Sequence, residues 1–521
     1  MKINQKGSPV IERWLWIFLF ILLAFISLIS YRRFFGHDEF EAIHTAWKIL
    51  TGERIYIDFF QHHHPFYYYA IAPLISIFGE SSSSVIVLRM LSFTMFLSML
   101  FITWRISKRL YNESFASLIS VILLASSFIF TDSAIEIRPD VPQALLVLLS
   151  FASILSFFDN RSKPHLILSA VLLGASFLFL QKSIFAIAIM GLLLLVSLIK
   201  KQIKWSDIII YAAAGILTVL PYLIYLFATD NIQTYYTFNW LINMKFLNTF
   251  SAVNGLGVIL RTSLVLLVFY IIGMIFFAKT PSQIRISYIS IGFLASTFLV
   301  RAPYNQYFLP AIPFMAIIAG NALYQTLKKC DKNLASALVI SVSISFFYAL
   351  RKLYYDKHTM LKIVLPLLIL SAIVTAITFY FDSQKRKKWL DFALVIALVI
   401  PSAMLVNTNK SNNVTQLALV DYTVEITDPD DYVYDGDASF NLFRKDLDYF
   451  WFSVRDDRHR PGALMTYQQE IADYHYDIYE LIEKYKPKVI RLYQVDDPSN
   501  PIISENYTMS EDFNLLYLRN K

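Results

Sequence analysis

Thirteen apolar runs of about membrane-crossing length follow one another along the first 406 residues. They fall near 14–31, 84–104, 115–131, 141–158, 165–181, 183–199, 207–227, 258–277, 286–300, 306–325, 334–350, 361–381 and 389–406. A helix needs about 20 apolar residues to cross about 30 Å of hydrocarbon. Inside a bilayer no water satisfies the backbone, so spanning segments of this kind must be helices. Composition agrees: 16% of residues are charged and 56% hydrophobic, where soluble domains carry roughly a quarter charged. The run at 65–79 is apolar but short and interrupted by Pro73, which predicts an interfacial or re-entrant helix.

The sequence thus predicts an all-α polytopic membrane protein with about 13 transmembrane helices, residues 1–406. A small extracytoplasmic α/β domain, 407–521, should follow. The net charge of +7 does not point to nucleic acid, because the two parts differ. Residues 407–521 hold 12 Lys/Arg against 21 Asp/Glu; the rest holds 34 against 18. The basic excess lies in the membrane part, where cytoplasmic loops collect Lys and Arg. With the N-terminus inside, the inner segments carry 20 such residues and the outer loops up to residue 360 carry 11. This orientation places the C-terminal domain outside the cell membrane. The loop at 351–360, with Arg351, Lys352 and Lys357, runs against it. The single cysteine, Cys330, excludes a disulfide framework.

Two outer loops are long, 32–83 and 228–257. In the first, Phe40, Ile43, Trp47 and Leu50 recur at helical spacing, predicting an amphipathic helix along the membrane surface that stops at Gly52. Asp38 and Glu39 stand at its start, and Asp38 with Glu41 fits a capping box. Glu136-Ile-Arg138-Pro139-Asp140 lies in a very short outer loop, where charge against a membrane boundary is costly and often functional. An ion pair closing a tight turn is the alternative reading. His62-His63-His64 could suggest a metal, but neighbouring side chains diverge, so a polar cluster at headgroup level is expected and no metal site. Lys182 sits between two spans with almost no loop, and Arg301 and Tyr304 precede another on the same face. Carboxylates beside cations at a lipid-level cleft suit attack on a phosphate-linked substrate. No G-x-x-x-x-G-K-[ST] loop, G-x-G-x-x-G turn, H-E-x-x-H or G-x-S-x-G motif occurs. An activated group at the outer face would therefore arrive on a lipid carrier rather than as a nucleotide.

The order of motifs resembles a known family. Gly36-His37-Asp38-Glu39 after the first span is followed by Gly52-Glu53-Arg54-Ile55-Tyr56-Ile57-Asp58-Phe59 and then His64-Pro65-Phe66-Tyr67-Tyr68. Arg138-Pro139-Asp140, Leu180-Gln181-Lys182-Ser183 and Tyr304-Asn305-Gln306-Tyr307-Phe308-Leu309-Pro310 come in order after them. This resembles the GT-C membrane glycosyltransferases of the protein-mannosyltransferase and aminoarabinose-transferase type, families 39 and 83. The resemblance covers roughly residues 10–325. It departs at Phe66 and Ser183, where the family has Pro and Gly, and at Asn305-Gln306, where a basic residue or His is common.

The resemblance implies a GT-C fold and a hexosyl or pentosyl glycosyltransferase of EC class 2.4. A sugar would pass from a polyprenyl-phosphate donor to an acceptor hydroxyl of a protein, glycolipid or glycan, with inversion, at the outer face. It implies Asp38 as base and Asp140 as second acidic residue. Glu39, His64, Arg138, Lys182, Arg301 and Tyr304 would bind substrate or lipid phosphate. Some relatives use a divalent cation and others do not, so no cofactor is assigned. A polytopic transporter or flippase for a lipid-linked glycan is the competing reading. Against it, no repeat relates the two halves and the charges cluster at one surface.

Overall fold

In the computed structural model, residues 9–245, 251–300, 303–353, 383–408, 411–435, 439–451, 477–492 and 497–520 are described. The chain begins with α1 (Pro9–Arg32), α2 (His37–Leu50), α3 (Phe66–Phe78), α4 (Ser82–Tyr111), α5 (Ser114–Ser126) and α6 (Phe128–Ala134). It continues through α7 (Asp140–Asn160), α8 (Lys163–Phe179), α9 (Ser183–Ile199) and α10 (Trp205–Ala228). Then come α11 (Ile232–Tyr236), a π-helical turn (Thr237–Leu241) and α12 (Ile242–Lys245). Next are α13 (Ala252–Thr262), α14 (Leu264–Phe276), α15 (Pro281–Ser296), a 3-10 turn (Asn305–Phe308), α16 (Ile312–Lys329) and α17 (Lys332–Leu353). The last long helices are α18 (Ser383–Thr408) and α19 (Val414–Ile426).

Among the described residues, five helices are long and apolar enough to cross a membrane: α1, α4, α7, α10 and α18. Two bent pairs raise the number to seven: α5–α6, bent by 69°, and α13–α14, bent by 103°. The runs expected at 115–131 and 258–277 are thus broken rather than continuous. Ser127 is extended between α5 and α6, and the Thr131 hydroxyl donates to the carbonyl of Ala125 at 2.7 Å. A side chain thereby satisfies a backbone group that the break would orphan. Other predicted spans form shorter helices, such as α8, α9 and α15, and 361–381 lies outside the described residues. Pro73 falls inside the short α3, as expected.

Helices α5 and α16 form the centre. Helix α5 is buried from Phe115 to Ser126, and so is α16 from Ile312 to Tyr324. They approach so closely that a Cβ on Gly320 would lie 2.7 Å from the Ser120 backbone nitrogen. Small residues allow such contact where lipid offers no hydrophobic drive to association. Helix α10 is the opposite case: Trp205, Ile209, Ile216, Leu217 and Phe227 face outward, a surface suited to lipid and not to water.

The C-terminal part holds β1 (Val433–Asp435), β2 (Val489–Arg491), β3 (Tyr507–Met509) and β4 (Leu516–Arg519), with α20 (Ile478–Tyr485) and α21 (Pro501–Ser504) between them. Strand order is β1-β2-β4-β3, with β1 parallel to β2 and the other pairs antiparallel. The residue pattern predicts a helix over Tyr474–Lys486 and a strand over Val489–Tyr493, and the described residues there form α20 and β2, with residues 474–476 and 493 outside the described set.

Helix α2 departs from its prediction. Phe40, Ile43 and Trp47 are buried as the spacing required, but Glu39, Glu41, His44, Thr45 and Lys48 on its polar side are buried too. Residues 440–451 cover that side. His44 faces the Leu442 carbonyl at 3.0 Å and the Asp446 carboxylate at 2.7 Å, and Lys48 reaches Asp446 at 2.9 Å. The helix is a core element whose polar side is covered by C-terminal chain.

Gly320→Val should lower stability by about 1–3 kcal/mol, because the added atoms meet backbone. Gly191→Ala, with nothing within 4 Å of the new Cβ, should be neutral or stabilising. Thermal unfolding of both variants in detergent checks this; equal behaviour would contradict the packing described.

Candidate active site

Helix α2 starts two residues earlier than a cap at Asp38 would place it. Gly36 is extended at the N-cap, and its N–H donates to Glu39 Oε2 at 3.0 Å. The carboxylate that closes the capping box is therefore Glu39, not Glu41. Glu39 also accepts from Arg89 Nε at 2.7 Å, from Arg89 Nη2 and from the Ile137 N–H at 2.9 Å. It is 1% exposed and turned into the protein, holding α2, α4 and the 135–139 turn together. Asp38 and Glu41, three apart on another face of α2, are left without a capping duty.

Asp38 carries the most open carboxylate of the site, with 44% of its side chain exposed. Its Oδ2 lies 2.6 Å from Arg138 Nη1. Arg138 also stands 3.4 Å from Glu136 and 3.6 Å from Asp140 Oδ2. Asp140, at the N-terminus of α7, meets Lys182 at 3.3 Å, and the Lys182 ammonium sits 3.7 Å over the ring of Tyr307. On the other side Glu136 is held by Arg33 at 2.5 Å, which also pairs with Asp132 at 2.9 Å. The structure thus links Asp132, Arg33, Glu136, Arg138, Asp140 and Lys182 into one chain of alternating charge, with Asp38 branching from Arg138.

Burial works against charge on Asp38, but Arg138, His62 and Lys182 outweigh it and hold its pKa below the ordinary value. Glu136 behaves oppositely: burial pushes it up to about 7 in spite of Arg33 and Arg138. Glu41 is raised to about 8 by burial and by the nearby Asp38 charge. Burial opposes the charge of Lys182 as well, yet Asp140 keeps its pKa raised. Carboxyls whose environments push them apart in this way take different roles at one pH.

The three histidines do not splay apart uniformly: the rings of His62 and His63 lie with centroids 4.0 Å apart, while His64 makes separate contacts. His62 Nδ1 lies 3.6 Å from Glu41 Oε1, and its carbonyl accepts from Gln181 at 2.9 Å. The His63 carbonyl accepts from the Tyr56 hydroxyl at 2.6 Å. His64 is fully buried, with Nδ1 2.5 Å from the Phe177 carbonyl and Nε2 2.8 Å from the Tyr235 hydroxyl. Burial lowers His62 and His64 to about 4, so both are neutral near pH 7. Among the described residues no three His, Cys, Asp or Glu side chains are grouped to hold a metal ion.

The structure brings together Asp38, Arg138, Asp140 and Lys182 from the expected residues. Tyr304 is half-buried just before the 3-10 turn, and Tyr307, in that turn, makes the contact with Lys182. Arg301 lies outside the described residues. Arg33, Arg89, Glu41 and Tyr307 were missed as parts of the site. For Glu41 a signal existed, since its spacing from Asp38 puts both on one helix face. Arg33 and Arg89 offered none, because their partners are 103 and 50 residues away.

Carboxylates and cations thus meet at the N-terminal ends of α2, α7 and α9 in a predominantly helical chain. The chain is similar to the aminoarabinose transferase ArnT from Cupriavidus metallidurans. It matches the apo structure with a TM-score of 0.59 at 14% identity, over 91% of this chain and 93% of that one. It matches the structure bound to undecaprenyl phosphate with a TM-score of 0.57 at 13% identity, over 82% and 84%. The arabinosyltransferase EmbB from Mycobacterium smegmatis matches with a TM-score of 0.52 at 12% identity, over 78% of this chain and 42% of that one. Residues 62–225 match the family described as dolichyl-phosphate-mannose-protein mannosyltransferase. That segment contains the histidine run, the 136–140 turn and Lys182. No curated protein sequence matches significantly. The chain thus shares the fold of these structures, and its family match covers residues 62–225.

Arg89→Met should destabilise the protein by about 3–5 kcal/mol, since it leaves the Glu39 carboxylate buried without its cation. The double variant with Glu39→Gln should recover part of that loss. Thermal unfolding of single and double variants checks it; no recovery would mean the two residues are not coupled.

Proposed function

We propose that the protein transfers a sugar from a polyprenyl-phosphate donor to an acceptor hydroxyl at the outer face of a cell membrane, with inversion at the anomeric carbon. The observation that carries this reading is the half-exposed Asp38 carboxylate, kept ionised by Arg138 at 2.6 Å and flanked by the Asp140–Lys182 pair at 3.3 Å. In a single displacement Asp38 takes the proton of the acceptor hydroxyl as its oxygen bonds to the anomeric carbon. The bond from that carbon to the phosphate oxygen breaks, and polyprenyl phosphate leaves with the electron pair. Arg138 and Lys182 are placed to stabilise the charge that develops on the phosphate. Asp140 holds both cations, and its Oδ2 has no hydrogen bond in the protein. That oxygen is available to orient an acceptor hydroxyl.

Two further features support a lipid-borne donor. An apolar cavity of about 420 Å³ lies between α8, α9 and α10, lined by Leu173, Phe177, Ile187 and Leu223 among others. It reaches Phe177, whose carbonyl meets His64, so an isoprenoid chain there would run toward the site. In addition, the ArnT fold neighbour is the one bound to undecaprenyl phosphate.

Asp38→Asn should lower transfer by about 10²–10⁴-fold, the range for losing a general base, with the protein still folded. The assay uses full-length protein in vesicles, a panel of radiolabelled polyprenyl-phosphate sugars and acceptor-containing extract, and reads release of polyprenyl phosphate. Equal turnover by the variant would remove Asp38 as base. Movement of a lipid-linked glycan across the vesicle wall without covalent product would establish transport instead.

A further inference from the structure

Glu41 stands out against the other buried acids. Glu39, two residues earlier on the same helix, accepts four hydrogen bonds inside the protein. Glu41 is 3% exposed, and its Oε1 has no hydrogen-bond partner. The nearest cationic candidate, His62 Nδ1, is 3.6 Å away, beyond hydrogen-bond reach. A buried carboxyl oxygen left unbonded is destabilising, and the fold does not need one here: α2 is capped by Glu39 and tied to the C-terminal lid through His44 and Lys48. Orphan polar atoms of this kind in native structures call for a functional account. This one sits one helical turn from Asp38.

We propose that Glu41 is a substrate-binding residue, whose carboxyl group hydrogen-bonds a hydroxyl of the neutral sugar seated over Asp38. The inference rests on the glycosyltransferase reading and adds to it the kind of sugar group recognised. The groups facing Glu41 are Asp38 on its own helix, His62 and Gln61 on the following loop, Tyr68 on α3, Arg138 on the 135–139 turn, and Lys182. Burial and the Asp38 charge dominate among them and hold Glu41 protonated at neutral pH. A protonated carboxyl offers one donor and an acceptor. A sugar hydroxyl offers the same, so the two match without transferring charge. An ammonium offers only donors and would require Glu41 to ionise beside the Asp38 carboxylate. The site is therefore built for a hydroxyl-bearing sugar rather than an amino sugar at this position. Below pH about 8 the Glu41 carboxyl both donates to and accepts from that hydroxyl; as pH rises through that value the donor proton leaves and only acceptance remains, so the match weakens.

Infrared difference spectroscopy of wild type against Glu41→Gln, with full-length protein in vesicles, tests this directly. A carboxylic C=O band should be present at pH 7 in wild type, absent from the variant, and titrate away near pH 8. It should shift on adding a polyprenyl-phosphate hexose or pentose. Absence of the band at pH 7, or a band that neither donor moves, overturns the proposal. So does a shift produced by a polyprenyl-phosphate amino sugar alone. This readout does not depend on turnover, so failure of the glycosyltransferase reading itself would show separately as no polyprenyl phosphate release by wild type. Kinetics supply the second arm. Glu41→Gln should raise KM several-fold and move the alkaline limb of kcat/KM upward from pH 8, whereas Glu41→Leu should raise KM about 100-fold. Lower thermal stability in both variants with an unchanged KM and an unchanged alkaline limb would mean that Glu41 is only structural.

Discussion

The site depends on one buried ion pair. Glu39 and Arg89 are both withdrawn from water, at 1% and 0% exposure, and the Arg89 guanidinium also lies 4.1 Å over the ring of Phe35. Desolvation makes such pairs costly unless the remaining lone pairs are used. Here the Gly36 and Ile137 amides use them. The pair therefore fixes three separate pieces of chain: the first turn of α2, the N-terminal part of α4 and the 135–139 turn. Asp38 stands on the first of these and Arg138 on the last. Their contact at 2.6 Å is a consequence of how Glu39 is held.

Around that frame the charges alternate and nearly balance. Arg33, Arg138 and Lys182 face Asp132, Glu136, Asp38 and Asp140. The carboxyls outnumber the cations by one. Burial keeps Glu136 near the protonation midpoint at neutral pH, which relieves the excess. Asp38 stays charged because Arg138 pairs closely with it and its side chain is the most open of the set. Electrostatic preorganisation of this kind leaves little to rearrange when a phosphate arrives.

The described C-terminal chain braces the loop that leads into the candidate site. Tyr449 accepts at its backbone carbonyl from the Phe60 N–H at 3.0 Å, and its hydroxyl donates to the Tyr56 carbonyl at 2.7 Å. Trp451 donates to the Phe60 carbonyl at 3.2 Å. These bonds clamp the loop leading into His62. Asp446 lies against His44 and Lys48; burial opposes its charge, but those two partners pull it down to about 2. Arg444 reaches Glu80 at 2.7 Å at the far end of α3. The segment thus secures both ends of the loop between α2 and α4.

Hydrophobic periodicity, a local property, was enough to determine the membrane class of the chain, the existence of most helices and the position of the short α3. The spacing of acidic pair, histidine run, Arg-Pro-Asp turn and lysine likewise marked Asp38, Arg138, Asp140 and Lys182, because each stands at a helix terminus that the sequence itself punctuates. Burial of the polar side of α2 was not legible there, since the chain that covers it lies 400 residues downstream. Nor were the breaks at Ser127 and Ser263, where packing rather than composition bends an apolar run. The roles of Glu39 and Glu41 were exchanged for the same reason. Sequence shows two acids near a helix start, but only the tertiary structure decides which meets Arg89 and two amides and which is left with an unbonded oxygen beside Asp38. Hydropathy is summed along the chain, whereas the satisfaction of a buried charge is settled across it.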